Sequence, residues 1–88
     1  MPEISRFYGI LIKMYFGDHL PPHFYAEYGS KKAMIRISDF GVEEGSLPPR
    51  ALALVVEWAA MHQQELLDNW NSLTNTDVAS FKKIAPLK

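Results

Sequence analysis

The first half of the chain alternates apolar and polar residues, and the second half repeats apolar residues at helical spacing. Ile10, Ile12 and Met14 fall on one side of an extended chain, and the residues between them fall on the other. An alternation with a period of two is typical of a half-buried β-strand. The pattern therefore predicts a first strand over Phe7–Phe16.

Two further alternating runs follow, and residues that favour turns separate them. The first run, about His23–Tyr28, ends at a Gly-Ser pair, and the second covers Lys31–Ser38. After an Asp-Phe-Gly turn, Val42–Gly45 is expected to form a short edge strand. Together these runs predict an antiparallel meander of three to four strands, roughly residues 5–46, with one apolar and one mixed face.

Residues 47–73 predict one long helix. Ser46 is the expected N-cap, and Pro48 and Pro49 stand in the first turn, where a missing N–H costs little. An apolar stripe of this helix should lie across the apolar face of the sheet. The stripe consists of Leu52, Val55, Val56, Ala59, Leu66, Trp70 and Leu73. With an extended tail over residues 74–88, the predicted fold is α+β, a three- to four-stranded antiparallel meander packed against one long C-terminal helix.

Composition narrows the classes of function. The 88 residues, 48% of them hydrophobic, are enough for one domain over residues 1–88. No cysteine is present, which excludes disulfide bonds, thiol nucleophiles and cysteine-type zinc sites. Ten acidic residues stand against nine basic ones, which argues against strong non-specific binding of nucleic acid. No segment approaches the roughly 20 apolar residues of a membrane span, and no signal peptide is recognised, so a cytoplasmic protein is expected.

Three residues of the helix form a candidate interaction surface. Leu54 and Met61, seven positions apart, fall opposite the core stripe, and Trp58 flanks them. Scattered apolar residues are common on protein surfaces, so one interpretation gives these residues no role. The other interpretation is a homodimer seam or a patch that binds a partner protein.

The segment Asp18–Tyr28 is the strongest candidate for a chemical site. It combines two histidines, two carboxylates, a Pro-Pro turn and several aromatic residues. Asp18, His19 and His23 are candidate ligands of zinc or another divalent metal ion, because two imidazoles and a carboxylate leave a coordination position for water. The competing interpretation is structural: His19 caps the turn and His23 forms a hydrogen bond across the sheet.

The mixed face of the sheet offers a metal-free alternative. His23 or Glu27 is a candidate base for a 2′-hydroxyl, Arg36 would neutralise a phosphate, and Tyr25 would stack on a base. These residues would make the protein an RNA-processing enzyme. The competing interpretation is an ordinary solvated sheet face with cross-strand ion pairs.

The chain resembles a bacterial family, number 4160 among the domains of unknown function. The resemblance is carried by residues 1–10, 14–16, 18–28, 47–52, 57–58, 69–70 and 83–87, and the Asp-His-x-Pro-Pro-His-Phe core is its most specific part. In the family pattern this core reads Asp-His-Asn-Pro-Pro-His-Phe-His. Here Leu20 and Tyr25 replace the Asn and the last His, so a role that needs three imidazoles does not transfer.

The resemblance implies a gene arrangement like that of toxin–antitoxin modules, with a small partner protein encoded next to this one. The main hypothesis is therefore a protein-interaction component without a cofactor, which also admits a homodimer. The alternative is an RNA-processing enzyme, metal-free or metal-dependent, with its site at the His-Pro-Pro-His corner. Composition and spacing do not choose between the two.

Overall fold

The computed structural model describes residues 3–15, 19–75 and 82–88. The fold is α+β, as predicted: an antiparallel sheet, whose strands are neighbours in chain order, precedes two helices. The described residues form five strands rather than the predicted three to four: β1 (Glu3–Phe7), β2 (Ile10–Lys13), β3 (His23–Tyr28), β4 (Lys31–Arg36) and β5 (Val42–Gly45). The helices are α1 (Pro49–Met61) and α2 (Gln63–Asn75).

The predicted first strand is wrong, because a tight turn divides it. Phe7 pairs with Ile10, so Tyr8 and Gly9 alone connect β1 to β2. Both connecting residues have positive φ, 50° at Tyr8 and 78° at Gly9, as in a type I′ hairpin turn. The end of the prediction, at Phe16, lies outside the described residues.

The remaining strands lie where the alternating pattern predicts them, but burial does not alternate strictly, because His23 of β3 and Met34 of β4 are buried as well and β5 is exposed throughout. β3 and β4 pair in register from His23 opposite Arg36 to Tyr28 opposite Lys31. A two-residue turn joins them, and Gly29 at its first position has φ of 60°, which glycine adopts without steric cost. β5 forms the predicted edge strand and pairs with β4.

The predicted single helix is also wrong, because the helix is interrupted at His62. The backbone N–H of His62 donates to the carbonyl of Ala59, three residues back, and α2 begins at Gln63. The Gln63 side chain donates to the carbonyl of Ile37 at 2.7 Å, which ties this junction to the end of β4. The predicted cap is corrected as well: Pro48 occupies the N-cap position of α1, and no side chain caps the helix.

The helices cover the face of the sheet that the pattern predicts to be apolar. The sheet side of the core consists of Ile4, Phe7, Ile10, Ile12, Met14, Phe24, Ala26, Ala33, Ile35 and Ile37. Ala51, Val55, Trp58 and Ala59 contribute from α1, and Leu66 and Trp70 contribute from α2. The predicted stripe is therefore partly corrected. Trp58 is 0% exposed, Leu52 and Val56 are only half-buried, and the side chain of Leu73 lies outside the described residues.

The C-terminal segment is held against the edge of the sheet at β1 and against the helices. The Ile84 N–H donates to the Ile4 carbonyl at 2.8 Å, and the indole N–H of Trp58 donates to the Ala85 carbonyl at 2.8 Å. The amide of Asn69 both accepts from the N–H of Lys82 and donates to its carbonyl, each at 2.8 Å. Ile84 is buried in the core, and residues 82–88 form no regular strand, whereas positions 74 and 75 of the predicted tail belong to α2. No helix in the described part of the chain is long and apolar enough to cross a membrane.

The Asn69 clamp gives the first testable prediction. Asn69 is buried, so Asn69→Ala leaves the backbone N–H and carbonyl of Lys82 without this partner. We expect the free energy of unfolding, measured by urea denaturation, to fall by about 1–3 kcal/mol. The matched control is Gln64→Ala, which removes an exposed hydrogen bond from the Gln64 amide to Asp68 and should cost less than about 0.5 kcal/mol. Equal losses for the two variants would contradict the clamp.

Candidate functional site

The His-Pro-Pro-His corner leads directly into β3. The Leu20–Pro21 peptide bond is cis, and the N–H of Ile37 donates to the Pro22 carbonyl at 3.0 Å, which fixes the corner to the end of β4. His23, the first residue of β3, is 1% exposed. Its Nδ1 lies 2.6 Å from the Pro21 carbonyl oxygen. Because a carbonyl oxygen only accepts, Nδ1 carries the proton, and Nε2 has the lone pair in the neutral ring.

Aromatic rings surround His23. Its ring centroid lies 5.0 Å from Trp70, 5.4 Å from Tyr25 and 5.1 Å from His19. Trp70 therefore brings α2 to the site, a contribution that strand periodicity alone does not indicate. His23 is part of a packed aromatic cluster at the end of the sheet.

The structure brings together two of the three predicted metal ligands. His19 is exposed, and its Nδ1 lies 3.1 Å from the Leu20 carbonyl oxygen. Histidines that bind metals commonly donate their other ring N–H to a backbone carbonyl, as both of these do. Asp18, the third predicted ligand, lies outside the described residues. Among the residues described, no group of three or more His, Cys, Asp or Glu is arranged to hold a metal ion.

Tyr25 lies on the face of the sheet opposite the helices, which we call the outer face. It is opposite Lys13 of β2 and Met34 of β4 in the pairing register. The Tyr15 ring meets Tyr25 edge to face, with 4.9 Å between centroids, and the ammonium group of Lys32 lies 4.9 Å from the Tyr25 centroid. Tyr25 is thus the centre of an aromatic and cationic contact rather than an isolated phenol.

Glu27 and Arg36, also predicted for the site, already have partners of opposite charge. The Lys13 ammonium lies 3.4 Å from the Glu27 carboxylate. Arg36 binds both carboxylate oxygens of Asp39, at 2.9 and 3.2 Å, and also binds Glu43. These interactions favour the interpretation of ordinary cross-strand and turn ion pairs over an arginine reserved for phosphate.

The ion pair of Arg36 lowers the pKa of Asp39 below its ordinary value. The hydrogen bond from Arg36 is the largest cause, and the bond from the backbone N–H of Gly41, 2.9 Å long, adds to it. The carboxylates of Asp39 and Glu43 raise the pKa of Arg36, which stays charged at any ordinary pH. Arg36 therefore holds the turn between β4 and β5, next to its register partner His23.

The predicted interaction residues do not form one surface. Trp58 is a core residue, so its place in an exposed patch is a wrong prediction, whereas Met61 is 65% exposed and Leu54 is half-buried against the core. Leu54 instead lines an apolar groove of about 290 Å³, here called the hairpin groove. Its other lining residues include Tyr8, Tyr28, Pro48, Arg50 and Ala51.

Sequence periodicity does not reveal the two tyrosines of this groove. Tyr8 is 59% exposed and Tyr28 is 41% exposed, although both belong to runs assigned to strands. Tyr28 is on the same face of β3 as the core residues Phe24 and Ala26. It is exposed because it is the last residue of the strand and lies beyond Ala26. The available signal was Gly9 beside Tyr8, which marks a hairpin turn and places Tyr8 at its tip.

The Asp39–Arg36 pair predicts a specific pH dependence of stability. Because the pKa of Asp39 is lowered by folding, its contribution is complete above the unfolded-state pKa and is lost as the pH falls through the folded-state pKa. We expect Arg36→Met to be less stable than wild type at neutral pH and this difference to shrink in strong acid, as measured by denaturant midpoints between pH 7 and pH 2. Arg50→Met is the control, since Arg50 makes no ion pair with a described residue, and it should shift all midpoints alike. A constant deficit for Arg36→Met would contradict the assignment.

The sequence model of the family described as Domain of unknown function (DUF4160) matches residues 9–71, which is more than half of the chain. The match includes the His-Pro-Pro-His corner, β2 to β5, α1 and most of α2. No curated protein and no solved structure matches the chain. The match confirms the resemblance inferred from the sequence, although it carries no information on neighbouring genes. The chain belongs to the DUF4160 family.

Proposed function

We propose that this protein is a cytoplasmic protein-interaction component of a two-gene, toxin–antitoxin-like module. Its partner is the small protein encoded by the neighbouring gene. The single observation that carries the proposal is the hairpin groove, where Tyr8 and Tyr28 expose aromatic rings beside the half-buried Leu54. Aromatic residues are enriched at protein interfaces, because they add a large contact area at a small cost in side-chain entropy.

The outer face supports this proposal by contrast. Several of its charged groups have partners of opposite charge within the chain, as Lys13 has Glu27 and Arg36 has Asp39. A ligand on that face would have to replace these internal interactions, whereas a ligand in the hairpin groove would cover apolar surface that water now touches. The groove is therefore the favoured binding surface. The homodimer predicted from the sequence stays the alternative occupant.

The interaction proposal predicts a loss of partner binding at one position of α1 and not at another. When the protein is co-expressed with the product of the neighbouring gene, we expect the two to elute together in size-exclusion chromatography. Leu54→Asp should weaken the complex at least tenfold, because it places a carboxylate in the groove. The matched control Met61→Asp changes an exposed residue that does not line the groove and should leave binding within twofold.

Two results would contradict the interaction proposal. If wild-type protein always elutes free of the neighbouring gene product, that product is not the partner. If wild type, Leu54→Asp and Met61→Asp bind equally, the groove is not the binding surface. Since Leu54 packs against the core, circular dichroism of Leu54→Asp must first show a folded protein, and Tyr28→Asp serves as a second variant at an exposed position.

The corner supports a second candidate, an RNA-processing enzyme that is metal-free or uses a divalent ion. The observation that favours it is the imidazole pair, His19 and His23, with each Nδ1 next to a backbone carbonyl. This arrangement makes Nε2 the atom through which either ring would act as a base or bind a metal. Tyr25 and Glu27, which follow on the same face of β3, would complete the site.

The enzyme hypothesis predicts cleavage that depends on the corner histidines. Wild type should degrade single-stranded RNA, and His23→Gln should lower the rate about 10²–10⁴-fold, the usual share of a general base. His19→Ala tests the metal version at an exposed residue: it should abolish zinc binding in a calorimetric titration. His62→Gln is the control for both measurements, because His62 lies at the helix junction with Glu65 as its partner. No cleavage by wild type, or equal cleavage by His23→Gln, rules against this candidate.

A further inference from the structure

Tyr8 has an unusual conformation for a tyrosine. It occupies the first central position of the β1–β2 turn with φ of 50°. Such positions favour glycine, asparagine or aspartate, because other side chains clash with the backbone and cannot form the local hydrogen bonds of Asn and Asp. Gly9, the second central residue, follows this preference, and Tyr8 does not.

Contacts with the described residues do not account for this choice of residue. The Tyr8 ring meets the edge of the neighbouring Phe7 ring, with 6.5 Å between centroids, but 59% of Tyr8 is exposed to solvent. A strained backbone that is not compensated by packing indicates that the side chain has a role other than folding, such as contact with another molecule. The Tyr8 ring lines the hairpin groove, so this role is contact with an occupant of the groove.

The charges around the groove indicate what the occupant carries. Arg50 lines the groove, and Lys31 lies opposite Tyr28 at the end of the β3–β4 pair, on the same face of the sheet. No carboxylate is among the described residues that line the groove, and the first turn of α1 contains no acidic residue. The rim is therefore positive around an apolar centre, which complements an apolar side chain flanked by carboxylates.

Two other occupants fit less well. In a two-fold homodimer, the same surface meets itself, so the positive rim of one copy would meet the positive rim of the other. Single-stranded nucleic acid could stack on the tyrosines, but it needs a row of cations along its backbone, and the chain as a whole has a net charge of −1. An acidic polypeptide segment with an apolar anchor agrees with both the charge and the shape.

We propose that the hairpin groove binds an extended acidic segment of a partner protein, whose apolar side chain inserts between Tyr8 and Tyr28 while its carboxylates meet Arg50 and Lys31. The proposal rests on the interaction function proposed above and adds the chemistry of the partner. The strained turn at Tyr8 then holds an aromatic ring at the mouth of the groove at the expense of folding stability.

A random 12-residue peptide library displayed on phage tests the proposal even while the partner is unidentified. Selection on immobilised full-length protein should enrich peptides rich in Asp and Glu around one or two large apolar residues. The most enriched sequence is then synthesised with a fluorescent label, and its Kd is measured by polarisation. Arg50→Glu should weaken binding at least tenfold, and the Arg50→Glu/Lys31→Glu double variant should weaken it further.

Tyr8→Asn separates binding from folding. Asparagine suits a positive φ, so this variant should melt at or above the wild-type temperature, yet it should bind the labelled peptide at least tenfold more weakly. Met61→Asn is the matched control, with the same introduced residue at an exposed position outside the groove, and it should bind as wild type does. Because Tyr8→Asn is expected to stay folded, its loss of binding cannot be assigned to unfolding.

The results that would overturn the proposal are distinct from those that would overturn the interaction function. Selection that enriches no peptide, or enriches basic ones, overturns the acidic occupant, and so does unchanged binding by Tyr8→Asn. A dimer in sedimentation that Tyr8→Asn dissociates would assign the groove to a second copy instead. Co-elution with the neighbouring gene product does not depend on this selection, so the partner can be confirmed while the acidic segment is refuted, and the reverse also holds.

Discussion

The burial of Trp58 is the contact on which the rest of the structure depends. Its indole lies 5.3 Å from the Phe7 ring of β1 and 6.1 Å from the Phe24 ring of β3, so α1 is held against both strands. The indole N–H also donates to the Ala85 carbonyl, which connects the C-terminal segment to the same point. An aromatic side chain of this size buries roughly 150–250 Å², a large fraction of the core available to 88 residues.

The position of α1 relative to the sheet explains why one end of the molecule remains open to ligands. The first turn of α1, with Pro48, Arg50 and Ala51, lies over the hairpin end of the sheet, where Tyr8 and Tyr28 project. The later turns of α1 lie away from these two rings, because the helix runs from this end towards Trp58 and the core. The hairpin groove is therefore a consequence of where the helix begins. At the opposite end, α2 places Trp70 over His23 and closes the corner.

The sequence predicts the parts of this fold that local periodicity determines. Alternation identifies the apolar face of β2 to β4, and Gly29 marks its turn, because both effects act between neighbouring residues. Periodicity does not predict the turn at Tyr8, since tyrosine rarely adopts a positive φ. Nor does it predict the break at His62, because tertiary contacts stabilise that break, including the bond from Gln63 to Ile37. One stripe fitted through two helices has the wrong phase, and this error placed Trp58 on the surface.

The candidate site shows the same division between local and tertiary information. Sequence spacing brings His19 next to His23 and places Tyr25 and Glu27 on one face of β3, since these relations follow from the turn and the strand. Spacing does not predict that Arg36 is neutralised by Asp39 and Glu43, or that Trp70 covers the corner, because those contacts come from other elements. The tertiary contacts add internal partners to the corner, whereas at the hairpin end they leave aromatic surface exposed. A binding function at the hairpin end needs only the burial of that surface, and a catalytic function at the corner also needs side chains to leave the partners that folding has given them.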